Sequence, residues 1–269
     1  MEKSQLFKFA QSVRYTALEL AHYANESHSG GAMSMADVLV TLYANYLNNN
    51  IQLQDDPNRD RFILSKGHCC ALYYAVLAEM GFFDKKDLIN NFAKNGTHFY
   101  AHATHTLPGV ELSTGSLGHG LPVACGMAVG AKRKGSNFNV YCIVGDGEMD
   151  EGSNWEAIMF ASHNQLDNLC LIVDKNQMQA LGDTKDILCL DPLLEKIKAF
   201  GWNVIEIDGH NYDQIIAAFE NFKICDGRPT AIVANTTKGK GVSFMEHNIK
   251  FHYSAPTVEE LKKAKGELL

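Results

Sequence analysis

The stretch V-Y-C-I-V-G-D-G-E-M-D-E-G, Val140–Gly152, runs five strand-forming residues straight into an aspartate bracketed by two glycines. An apolar run of that length, ended by glycine, reads as a strand covered on both faces. Gly145 and Gly147 predict a backbone that lets a ligand come close or takes dihedrals closed to other residues. Asp146 adds a hard oxygen donor between them. In an open parallel sheet, ligands sit beyond the carboxyl ends of the strands, and Asp146 stands at such an end.

One βαβ unit later a second apolar strand, Leu169–Asp174, ends in V-D-K-N-Q-M-Q. Asn176 therefore arrives at the same sheet edge as Asp146. Two oxygen side chains on neighbouring parallel strands can share a cation. An octahedral Mg²⁺ held by one carboxylate, one amide oxygen and a backbone carbonyl still has positions for two phosphate oxygens and a water.

The rest of the chain extends this pattern. Helical periodicity covers Gln5–Asn25 and Ser34–Leu47, the second with a capping-box variant in Ser34 and Asp37. A short strand, R-F-I-L-S, leads through K-G-H into a helix from Cys69 to Met80, closed by Gly81. The His- and Gly-rich segment from Asn95 to Gly120 has neither period and reads as a long functional loop. A helix over 121–134, the strand 139–144, a helix over 154–164 and the strand 169–174 follow. Asp191 and Pro192 predict the N-cap and first turn of another helix. Strands over 202–207 and 229–235 flank a helix over 213–222. The expected architecture is one doubly wound, mainly parallel α/β domain spanning 1–269, with the charged tail E-E-L-K-K-A-K-G-E-L-L as a solvated last helix.

Composition narrows the function. The 269 residues are 46% hydrophobic and 20% charged, which suits a globular chain. A net charge of −7 argues against a nucleic-acid footprint. No segment is apolar enough to span a bilayer, and the N-terminus lacks a secretory pattern. Seven cysteines without a C-x-x-C pair fit a reducing cytoplasm better than a disulfide framework or a zinc site.

Gly-Asp-Gly followed at this distance by Asn, with a βαβ unit between, resembles the diphosphate-binding motif of thiamine-diphosphate enzymes. The chain is similar, over nearly its whole length, to the N-terminal part of transketolases. S-H-S-G-G-A-M-S-M-A-D-V-L, R-D-R-F-I-L-S-K-G-H, P-G-V-E-L-S-T-G-S-L-G-H-G and K-G-K-G-V-S-F-M-E-H-N-I-K-F-H resemble four further family segments, in the family's order. The resemblance implies that Asp146, Asn176 and the carbonyl of Met178 hold Mg²⁺ or Ca²⁺. It implies that Gly147, Glu148, His68, Gly115, Ser116 and Leu117 lie against thiamine diphosphate. His28, His252 and His102 become candidates for the substrate channel, where imidazoles exchange protons with a sugar's hydroxyls and carbonyl.

Several positions stay open at this level. Y-A-H-A-T-H-T departs from the family's Gly-His-Pro, so either His102 or His105 can face substrate. His119 stands where relatives have glutamine. Glu151 reads equally as a solvated carboxylate or an interface residue. Lys238 and Lys240 read as a phosphate-attracting pair or as an ordinary surface turn.

The resemblance also implies an activity: transfer of a two-carbon ketol unit between sugar phosphates in carbohydrate metabolism, as in the pentose phosphate pathway. Its acid for activating the cofactor lies on a pyrimidine-binding domain that this sequence lacks. The expected partner is a C-terminal subunit carrying that domain, in a cytoplasmic α₂β₂ assembly. Small residues over 121–131 read as an interface stripe or as close packing on the chain's own sheet. Alternatives are a related transferase acting on an unusual sugar, the α subunit of a 2-oxo-acid dehydrogenase, and a non-catalytic module. The histidines and intact metal motif disfavour the last two.

Overall fold

A computed structural model describes residues 1–269. Five parallel strands, β1 (Arg61–Leu64), β2 (Val140–Gly145), β3 (Leu169–Lys175), β4 (Asn203–Asp208) and β5 (Thr230–Asn235), form one sheet in the order β1-β2-β3-β5-β4. Every pairing is parallel, so the sheet goes further than the mainly parallel expectation. Alternate residues point to opposite faces, and each face has its own core. Phe62, Leu64, Tyr141, Ile143, Cys170, Ile172 and Ile232 pack beneath the first layer of helices. Ile63, Val140, Cys142, Val144, Leu171, Val173 and Val233 pack beneath the second. Both sets are apolar, which is why these strands read as unbroken runs and why a one-residue slip is not tolerated on either side.

The first layer consists of α1 (Lys3–Ala24), α2 (Ser29–Ser34), α3 (Ala36–Thr41), α4 (Cys70–Glu79), α5 (Lys85–Asn91) and, later in the chain, α10 (Tyr212–Ile224). The second holds α6 (Gly120–Lys134), α7 (Gly152–His163) and α9 (Leu193–Ala199), with the short α8 (Thr184–Ile187) before it. The last helices, α11 (Lys250–Tyr253) and α12 (Val258–Leu268), close against α1 through a third apolar cluster containing Leu18, Phe251, Leu261, Ala264 and Leu268.

Four local expectations change. The helix expected from Ser34 to Leu47 is split at Met35, and Ser34 and Asp37 do not cap it. Their side chains are claimed by distant partners, Ser34 by Asp174 (2.6 Å) and Asp37 by Arg14. Pro192, not Asp191, is the N-cap of α9, because Asp191 pairs with Lys175 at 2.9 Å. The last helix is not simply solvated: Leu261, Ala264 and Leu268 are buried, and Thr257 with Glu260 forms its capping box. The small residues of α6 divide between two faces. Ala124, Ala128 and Ala131 are buried, while the positions a Cβ would take at Gly126 and Gly130 meet nothing within 4 Å.

Candidate functional site

The registers align the carboxyl ends of four strands. Gly145 is level with Asp174, Leu64 with Ile143 and Lys175 with Asn235. The residues that follow, Ser65–His68, Asp146–Glu148, Asn176–Ala180 and Thr236–Lys238, therefore gather at one edge, as open parallel sheets require. There they line a cleft of about 320 Å³ together with His28, His102, Gly115, Leu117 and His252. Of the twelve residues singled out in the sequence, eleven line it. Ser116 is exposed and does not.

Asp146 is 2% exposed. Its carboxylate accepts hydrogen bonds from the amides of Gly147 (2.9 Å) and Gln177 (2.6 Å) and from the Thr184 hydroxyl (3.2 Å). No lysine or arginine forms an ion pair with it. Burial, and then the neighbouring Asp174 charge, push its pKa up to about 6. Asn176 turns its Oδ1 to the Met178 amide at 3.2 Å, and the Met178 carbonyl faces the cleft, where Lys238 Nζ donates to it at 3.1 Å. An uncompensated buried carboxylate, an amide oxygen and a peptide oxygen form a hard donor set that fits a divalent cation. Groups of three or more His, Cys, Asp or Glu able to hold a metal are absent, as a donor set with one carboxylate entails.

The glycines of the opening motif work by space rather than by dihedral. Neither Gly145 nor Gly147 has a positive φ. A Cβ on Gly147 would stand 2.8 Å from Gln179 Cγ, and the Cβ position on Gly145 is open. Glu148 lines the cleft, but protein donors engage its carboxylate: the Ser65 hydroxyl and the amides of Gly118 (3.0 Å) and Gly145 (3.2 Å). It ties the glycine-rich loop to the ends of β1 and β2, and burial raises its pKa.

Three histidines cluster on the other wall. His28 lies with its ring centroid 5.0 Å from those of both His68 and His252. Its φ of 68° places it in the left-handed region, uncommon for a residue with a Cβ, and its amide is held by the His252 carbonyl at 3.1 Å. Burial, reinforced by nearby cationic groups, lowers the pKa of all three, His68 well below its ordinary value and His252 to about 4. They are neutral imidazoles at pH 7. His102 lines the cleft, whereas His105 turns away to Ser113 Oγ at 2.8 Å, which decides between them. His119 lies outside the cleft, on a groove along α6 and α7 that also exposes Met159 and Phe160; Glu151 is exposed nearby.

Two lysines complete the floor. Lys238 is 2% exposed, so the surface-turn reading fails for it. Its ammonium reaches His252 Nδ1 at 2.9 Å, and burial, with Lys66 nearby, lowers its pKa to about 8. Lys66 pairs with Asp174 and donates to the Gly31 carbonyl at 2.9 Å. Burial works against its charge, but the Asp174 carboxylate keeps it protonated with a raised pKa. Asp174 in turn accepts from the Ser34 and Thr236 hydroxyls and from Asn176 Nδ2 at 3.3 Å. Sequence reasoning missed this hub. Its signal was available: a charged residue at the end of each of two otherwise apolar strands, in L-S-K-G-H and I-V-D-K-N.

The profile of the family described as "Transketolase, thiamine diphosphate binding domain" matches residues 7–268. The chain belongs to the transketolase family. One of the two subunits of an apulose-4-phosphate transketolase from Actinobacillus succinogenes is 42% identical over 266 residues, covering 98% of this chain and 96% of that protein. A 6-deoxy-6-sulfo-D-fructose transketolase subunit from a Clostridium species is 40% identical, covering 96% and 94%. The crystal structure of transketolase from Campylobacter jejuni superposes with a TM-score of 0.95 at 32% identity, covering 100% of this chain and 43% of that one. Human transketolase is 36% identical over 244 residues, and the match spans 38% of its length. Thus this transketolase-family chain corresponds in length to the subunits and to less than half of the full-length enzymes.

Proposed function

We propose that this chain is the N-terminal, diphosphate-binding subunit of a split thiamine diphosphate-dependent transketolase, folded throughout as one domain. The observation that carries the reading is the convergence of Asp146, Asn176 and the Met178 carbonyl with three neutral histidines on one sheet edge. In this reading the three oxygens hold Mg²⁺, with Ca²⁺ as a substitute. His68, Lys238, Gly147, Gly115 and Leu117 flank the cofactor, the two basic side chains offering donors to its diphosphate. The chemistry available when the cofactor is bound is cleavage and re-formation of a carbon–carbon bond beside a carbonyl.

The protein's own contribution is binding, orientation and proton handling. Neutral His28 and His252 accept protons from sugar hydroxyls and return them, and His102 stands at the rim to orient the substrate. Glu148 keeps the glycine-rich loop seated on Ser65. The reaction is transfer of a two-carbon ketol unit from a ketose phosphate to an aldose phosphate in carbohydrate metabolism, in the cytoplasm.

The partner is a C-terminal subunit with the pyrimidine-binding domain, in an α₂β₂ assembly. The subunit-length relatives and the open glycine face of α6 support it. A second reading of the substrate follows from the names of those relatives: the donor is an unusual ketose, branched or sulfonated, rather than an ordinary pentulose phosphate.

The test is to purify the chain alone and with the product of a neighbouring pyrimidine-domain coding sequence. Ketol transfer is then assayed with ordinary, branched and sulfonated ketoses. Transfer is expected only from the pair. Full activity of the chain alone refutes the split, and activity with none of the donors refutes the transferase reading.

A further inference from the structure

The segment D-G-H, Asp208–His210, lies at the end of β4, outside the cleft, and the proposed chemistry does not use it. Its local geometry is nevertheless tightly specified. Asp208 Oδ1 accepts the His210 amide at 2.9 Å. A Cβ on Gly209 would lie 2.5 Å from Thr236 Cγ2, so only glycine lets this loop come so close to the end of β5.

That approach delivers the His210 ring between two partners. Nδ1 lies 2.8 Å from Asp37 Oδ2, and Nε2 lies 2.9 Å from the Thr237 amide. A backbone N–H only donates, so Nε2 must carry the lone pair and Nδ1 the hydrogen that goes to Asp37. The ring is fixed in one neutral tautomer by its neighbours. Asp37 is itself immobile: it is buried, bridged by the Arg14 guanidinium (3.1 Å to Oδ1) and bonded by the Tyr212 hydroxyl at 2.6 Å. On the other side, Thr237 immediately precedes Lys238, whose ammonium enters the cleft.

We propose that His210 is a positioning residue: its imidazole carries the Asp37–Arg14 anchor across to the Thr237 amide and so sets where the Lys238 side chain enters the cleft. Asp37 and His210 belong to different layers of the chain, and the imidazole spans them with one donor and one acceptor. A glutamine amide offers the same donor and acceptor at a similar separation, whereas phenylalanine fills the space and offers neither. The bearing on catalysis rests on the reading of the cleft as the cofactor site.

The experiment compares His210→Phe and His210→Gln with the parent chain. Amine acetylation of the native full-length chain is followed by mass spectrometry at Lys238, with Lys66 as internal reference because it is held independently by Asp174. His210→Phe is expected to raise the labelling rate at Lys238 about tenfold, the scale of one hydrogen bond's net contribution, and to leave Lys66 unchanged. His210→Gln is expected to restore the parent rate. Unchanged Lys238 labelling in His210→Phe overturns the proposal, as does an equal rise at both lysines or failure of glutamine to rescue.

In the assembled enzyme, the apparent KM for thiamine diphosphate is expected to rise about tenfold in His210→Phe, with kcat changed less than about twofold. An unchanged KM overturns the catalytic bearing. If the parent assembly shows no saturable response to thiamine diphosphate, the functional reading fails, while the labelling result still decides the relay.

Discussion

Asp37→Asn probes the largest buried electrostatic commitment outside the cleft. Arg14 and Asp37 have side-chain exposures of 2% and 5%, and the guanidinium donates to both carboxylate oxygens, to the Met33 carbonyl at 3.2 Å and to Gln11 at 3.2 Å. Removing the carboxylate charge leaves a guanidinium that cannot shed its proton in a dry site. Breaking such a pair from one side costs about 3–5 kcal/mol. That is a large part of the ~5–15 kcal/mol that holds a typical domain together. At roughly 2–4 °C per kcal/mol for a chain near this size, the midpoint of thermal unfolding should fall by about 6–20 °C.

The pH dependence has a definite sign. Although burial opposes it, Arg14 and the His210 and Tyr212 hydrogen bonds depress the pKa of Asp37 well below the ordinary carboxylate value. A depressed carboxylate contributes stability above its unfolded pKa of about 3.9 and loses it as pH falls toward the folded value. The gap between parent and variant should therefore be flat from about pH 5 to 8 and close below about pH 4. The assay is circular dichroism across that range. Replacing both partners, Arg14→Met with Asp37→Leu, should cost less than the sum of the single changes. A midpoint within about 2 °C of the parent for Asp37→Asn, or additive single and double variants, refutes the reasoning.

Three further outcomes follow from the cleft. Asp146→Ala should weaken Mg²⁺-dependent thiamine diphosphate binding in the assembled enzyme by at least about 100-fold, measured by calorimetry, since it removes the only charged donor; unchanged affinity excludes the metal assignment. His28→Ala should lower kcat by about 10²–10⁴-fold in steady-state kinetics with little change in cofactor affinity, the usual range for a lost proton-transfer group. Gly67→Ala should destabilise by about 1–3 kcal/mol in denaturant melts, because its Cβ would sit 2.4 Å from the Thr114 carbonyl oxygen; an unchanged melt would show that the 103–114 loop yields freely.

Local pattern carried far in this chain. β2 and β3 were legible because burial on both faces makes a strand apolar throughout, and glycine or charge marks where it leaves the sheet. Element boundaries moved by a residue or two, as helix and strand ends do. The failures at Ser34, Asp37 and Asp191 share one cause. Each is a good capping residue by type, and each is claimed instead by a partner that local sequence does not contain.

Residue order alone was enough for the parallel α/β architecture, the family, and the arrival of Asp146 and Asn176 at one edge. Periodicity and strand-end chemistry are properties of neighbouring residues, and the order of the motifs is written along the chain. Which polar groups serve each other emerged only once the chain was folded. Lys66 meets Asp174 across 108 positions, His210 meets Asp37 across 173, and Lys238 proves to be buried in the cleft rather than on a turn. Folding also turned His102 inward and His105 outward. A buried charge is stable only beside its counterpart, and which counterpart is available depends on how the layers close over the sheet.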